Sequence, residues 1–159
     1  MNNNKYTATT GFSRTRFGLV VVIGLLVGVL TWLVSLLLRW AFVEPVFCRS
    51  ADSFNACANG GTIAIVVALI LVNFLGLFAL IRLGVYRPLL VVLAAVVTLW
   101  GVHSWLGGLS WYEASLWYGL VFAVSYILYA WLARLVSFGI AAGLTLLAVI
   151  MFRFFMTHL

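Results

Sequence analysis

Charge is what this chain has least of. Only 8% of its 159 residues are charged, nine basic and three acidic, against roughly 25% in soluble domains. No water-facing surface can be built from so few charges, so a soluble globular domain is excluded and lipid is the expected solvent. The shortage of acids removes paired carboxylates for acid–base work. No nucleophile motif, no phosphate loop and no His/Cys/Asp/Glu group with metal-ligand spacing appears, so no catalytic residue, metal or cofactor is expected. The basic residues never cluster, which argues against nucleic acid as a partner despite a pI near 9.9. Cysteine is scarce too. Two thiols cannot make a disulfide-dense scaffold, and they do not form the close C-x-x-C pair common in membrane thiol relays.

What is present is apolar: 66% of the residues are hydrophobic and mean hydropathy is +1.23. The first uncharged run, residues 17–38, would rise about 33 Å as a helix, enough for the roughly 30 Å hydrocarbon core. It is too long for a signal-peptide core and no small-x-small cleavage site follows it. Further runs lie at 62–81, 88–106, 111–131 and 138–152. Their borders carry helix punctuation. Asn59 or Thr62 suits an N-cap, Gly84 a C-terminus and Pro88 a first turn. Gly107-Gly108 is a breaker, and Ser110 with Glu113 has capping-box spacing. Between Trp111 and Phe152 a single helix would be about 63 Å long, so a turn is expected at Arg134. The expected fold is an all-α, multi-pass transmembrane bundle of five spans in one domain, residues 1–159. The alternative is four spans and an interfacial C-terminal helix.

Five spans place Lys5, Arg14, Arg16, Arg82, Arg87 and Arg134 on one side with no acid. Arg39, Arg49 and Arg153 fall on the other with all three acids, Glu44, Asp52 and Glu113. The positive-inside rule then predicts an inner or plasma membrane protein with its N-terminus cytoplasmic and its C-terminus outside. The segment 39–61 becomes an outer loop holding both cysteines. That side is oxidising, so Cys48 and Cys57 are expected to pair as a structural staple, with a redox role as the alternative. Arg14, Arg16, Arg82, Arg87 and Arg134 line the inner rim at the depth of anionic lipid head groups.

Within the spans, Gly24/Gly28 and Gly139/Gly143 are G-x-x-x-G pairs that permit close helix approach, and Asn73 is a mid-span amide that needs a partner. Trp100 and His103 share a helix face with Gly107. Together with Glu113 and Trp117 they mark either an aromatic belt or an outer pocket for a quinone or lipid head group. The sequence points to a non-enzymatic accessory or assembly subunit that works through helix–helix association, with another membrane protein or its own copies as partner. A small oligomeric transporter or channel is the first alternative, and a membrane thiol or quinone oxidoreductase the second.

Overall fold

The apolar runs do become helices, and all but the third of these helices outlast their runs. The computed structural model describes residues 14–48, 54–106, 108–134 and 137–158. They form α1 (Arg14–Leu38), α2 (Glu44–Phe47), α3 (Phe54–Arg82), α4 (Pro88–Leu99), α5 (Trp111–Leu132) and α6 (Phe138–His158). No strand occurs among the described residues, and the fold is an all-α bundle. Three stretches are long and apolar enough to cross a membrane: Phe17–Val46, Asn59–Arg82 and Trp111–Leu132. Two shorter apolar stretches, Pro88–Ser104 and Phe138–Phe154, accompany them.

The expected outer loop 39–61 is mostly helix. α1 runs on through a π-helical turn, Arg39–Val43, into α2, whose Pro45 sits in the first turn, where its missing N–H costs nothing. α3 starts at Phe54, so Asn59 and Thr62 lie inside a helix and do not cap one. Gly60 makes room for this: a Cβ there would overlap the Val43 side chain, which packs into the space the glycine leaves. Residues 49–53 lie outside the described residues.

The connections follow local chemistry. α3 ends in a Schellman motif at Gly84 (φ +66°), with Gly84 N–H donating to Ile81 O at 3.0 Å and Val85 N–H to Leu80 O at 3.1 Å. Pro88 opens α4. The third run does not stay helical to residue 106 as expected. Trp100 turns extended and Gly101 adopts φ +94°, so α4 stops at Leu99, and a 3₁₀ turn follows at Val102–Ser104. Gly108 also has positive φ, whereas Gly107 is outside the described residues. Glu113 accepts from the Ser110 N–H at 3.0 Å and from its hydroxyl at 2.7 Å, holding the start of α5. α5 gives way to a turn at Ala133–Arg134, and Ser137 caps α6 by accepting from Ile140 N–H at 3.2 Å.

α1 packs against α3 and α5, α4 packs against the same two helices, and α6 leans on α4. Gly24 meets Ala123 and Gly28 meets Gly119, so α1 and α5 are antiparallel. Val43 meets Gly60 and Val27 meets Gly76, so α1 and α3 are antiparallel. The core is an aromatic ladder on α5, Tyr118, Phe122 and Tyr126, with centroids 6.3 Å apart at each step, and Trp32 of α1 stacks on Tyr118 at 5.2 Å. Each such pair adds about 0.5–1.5 kcal/mol beyond burial. The outside is as apolar as the inside: Phe74, Phe78, Leu116, Val124, Leu146 and Met151 are all exposed. Water-soluble monomers rarely present apolar surface on this scale.

Candidate functional site

The two glycine pairs have opposite fates. A Cβ on Gly24 would lie 2.7 Å from Ala123 Cα, and one on Gly28 would overlap the Tyr118 carbonyl and lie 2.8 Å from Gly119 Cα. Gly24 and Gly28 therefore bring the α1 backbone against that of α5. They do not pack on α6, which the sequence offered as one partner. Gly139 and Gly143 are exposed, with nothing within 4 Å of a Cβ built on either. The partner that spacing missed is Gly119, a lone glycine in its run. Gly76 was also missed: its lack of a side chain admits the Tyr126 hydroxyl, which would lie 2.7 Å from a Cβ there.

Asn73 is 2% exposed. Its amide donates to Leu69 O at 2.7 Å, and its Oδ1 accepts from the Tyr126 hydroxyl at 2.9 Å. Both ends of the amide are engaged, and the second bond ties α3 to α5. Thr98 of α4 and Tyr129 of α5 form a matching hydroxyl pair. The bundle centre is thus crossed by polar links that satisfy each other, the arrangement a buried polar group requires in an apolar medium.

The expected outer pocket is only half assembled. Trp100 and His103 line a cavity of about 50 Å³ with Thr62, Ile65, Leu69 and Tyr118. The helix face proposed for Trp100, His103 and Gly107 does not form, because Gly101 breaks α4 between them. Glu113 is occupied with Ser110, and Trp117 is 50% exposed. A space of 50 Å³ holds a few waters, whereas sites for organic ligands run to about 300–1,000 Å³.

α6 is held to α4 by an arginine at each end. At one end the Arg87 guanidinium lies over Phe138 of α6 at 5.0 Å and over Tyr86 at 4.6 Å. At the other, Arg153 of α6 donates to the Trp100 carbonyl, left free where α4 stops. These contacts make α4 and α6 parallel. Between them runs a groove of about 540 Å³, lined by Leu89, Leu93, Ala94, Val97, Ala142 and Leu146 among others, with Arg87 at its mouth. No residue spacing marks it, because it depends on α6 lying beside α4.

Three basic residues lie at one end of the bundle. Arg82 ends α3, Arg87 precedes α4, Arg134 follows α5, and all three lie at the end where α1 begins with Arg14 and Arg16. The side chains of Arg14 and Arg16 are outside the described residues. Arg134 shares a small cavity there with Val20, Gly84 and Tyr86. The acids Glu44 and Glu113 are at the opposite end, Glu44 3.8 Å from Arg39. Asp52 is outside the described residues. Cys48, at the end of α2, is not free, and the Cys57 side chain is outside the described residues. Among the described residues, no three His, Cys, Asp or Glu side chains gather.

No protein family model, curated protein or solved structure matches this chain.

Proposed function

We propose that this chain is a small multi-pass membrane protein that acts as a non-enzymatic accessory or assembly subunit, docking a partner transmembrane helix on the Gly139/Gly143 face of α6. The carrying observation is the contrast between the two glycine pairs. Gly24 and Gly28 are used up inside the bundle, whereas Gly139 and Gly143 stand open on a helix that touches its own chain chiefly through α4. In lipid, apolar surface alone gives little drive for association, and close backbone approach at small residues supplies it. Partner chemistry is therefore a transmembrane helix with its own small-residue face, from another protein or a second copy.

The membrane reading rests on three helices of spanning length and an apolar exterior. Taken as five crossings, with Pro88–Ser104 and Phe138–Phe154 as the shorter pair, the chain would have its Arg82–Arg87–Arg134 end in the cytoplasm by the positive-inside rule. Cys48 then lies outside. Because Cys48 is not free and Cys57 is the only other cysteine, an intramolecular Cys48–Cys57 disulfide is the favoured pairing, a staple across residues 49–56.

Photo-crosslinking in native membranes tests the docking face. A crosslinking side chain placed at Gly143 should give adducts to a defined protein, and one at the exposed Val124 of α5 should not. Equal yields from both positions would refute a dedicated face.

A further inference from the structure

We propose that the groove between α4 and α6 holds one acyl chain of an anionic phospholipid, with Arg87 receiving its phosphate. The inference rests on the membrane placement above but not on helix docking, since its occupant lies between α4 and α6. At 3.6 residues per turn, Phe138, Ala142, Thr145 and Val149 centre the groove face of α6, Leu146 marks its edge, and Gly139 and Gly143 lie about 90° and about 130° from its centre.

The groove has the chemistry of a chain with a charged head. Its walls are aliphatic along their length, and Thr145 presents no polar group because its hydroxyl donates to Ala141 O at 2.7 Å. Its volume of about 540 Å³ is in the range of small-ligand sites. Its charged lining residue is Arg87, at one mouth. Arg87 Nη1 is shut off from solvent and has no hydrogen-bond partner, and Nη2 reaches only the Tyr86 hydroxyl at 3.5 Å. An unpaired guanidinium N–H is costly to bury and calls for an acceptor. No acid stands at this end among the described residues: Glu44 and Glu113 are both at the other.

Arg87 also sits at the N-terminus of the twelve-residue α4, where the helix dipole favours an anion. A phosphate beside Arg87 would gain the guanidinium and the dipole together. The occupant is a chain and not a helix because α4 and α6 already touch, pinned by Arg87–Phe138 and Arg153–Trp100. A helix about 10 Å across cannot enter the space between them.

The test is native mass spectrometry of the isolated full chain, offered equal phosphatidylglycerol and phosphatidylcholine with matched acyl chains. The expected result is one retained phosphatidylglycerol per chain. Arg87→Gln should cut its retention about five- to tenfold, the change expected from one interfacial basic residue, while Arg82→Gln, at an exposed position on the same rim, should not. Ala142→Phe, which fills the groove, should abolish retention of both lipids. Should that variant fail to fold, Leu93→Trp blocks the groove from an exposed lining position. Equal loss from Arg82→Gln and Arg87→Gln would mean a diffuse basic rim and overturn the site. Unchanged retention in the filled-groove variant would overturn the chain position. Loss of a protein partner without loss of lipid in that variant would make the groove a protein contact, and also overturn it.

Discussion

Replacing Gly28 with alanine adds one methyl group where two helix backbones meet. The new Cβ would lie 2.8 Å from Gly119 Cα and overlap the Tyr118 carbonyl, against about 3.5–4.0 Å for carbon atoms in comfortable contact. The obstructing atoms are backbone, so no rotamer change relieves the clash, and α1 and α5 must part by about 1 Å. That movement loosens the Trp32–Tyr118 stack and the Tyr118–Phe122 step beside it. Overpacking of this kind costs about 1–3 kcal/mol, offset by up to about 1 kcal/mol of better helix propensity for alanine over glycine. Because the clash is with backbone, the upper end applies, and a net loss of about 2 kcal/mol is expected for Gly28→Ala, with unfolding of the bundle for Gly28→Leu. Gly143→Ala, with nothing to strike, should keep only the propensity gain. The assay is reversible unfolding in mixed micelles followed by tryptophan fluorescence. If Gly28→Ala matches wild type, or if Gly143→Ala is the more damaging change, the α1–α5 contact is wrongly drawn.

Other outcomes follow from the same geometry. Asn73→Leu and Tyr126→Phe in a double-mutant cycle should show coupling of about 0.6–2 kcal/mol, the range for interhelical hydrogen bonds in lipid; additive losses would remove the α3–α5 link. Gly101→Ala should destabilise by about 1–2 kcal/mol, because φ +94° is unfavourable for a residue with a Cβ. A neutral result in the unfolding assay would mean that α4 does not need that turn to stop. Thiol labelling of the unreduced protein should find neither Cys48 nor Cys57 reactive, and reduction should cost about 2.5–3 kcal/mol for a loop of this length. Full labelling of both would remove the staple.

Helix identity was legible from composition because lipid-compatible runs leave little other choice. α5 begins at Trp111 as its capping box indicated, and Gly84 ends α3 as its residue type suggested. Boundaries in the polar stretch were not legible. Hydropathy marks where a chain leaves an apolar medium, not where its hydrogen bonding stops, so α1 and α3 continue past their runs until Val43 meets Gly60. The same blindness hid the early end of α4, which turns on the backbone of Gly101 and not on any polar residue. Pairing was the hardest part to read. Gly24 and Gly28 announced a close contact by their spacing, but the partner, Gly119, carries no spacing signal. Asn73 announced a need for a partner, but Tyr126 reads as an ordinary aromatic in an apolar run. The α4–α6 groove had no trace in sequence, because it is a property of two helices side by side.

The central claim is that α6 offers a docking face that the chain's own fold does not use. Gly143→Leu separates the two directly, since a side chain there meets no atom of this chain within 4 Å of its Cβ. The measurement is the size of the assembly in gently solubilised native membranes, taken alongside the unfolding midpoint of the purified variant. The account predicts an unchanged midpoint and a loss of the assembly to the size of the chain alone. An assembly that survives Gly143→Leu intact, with the chain still folded, would contradict it.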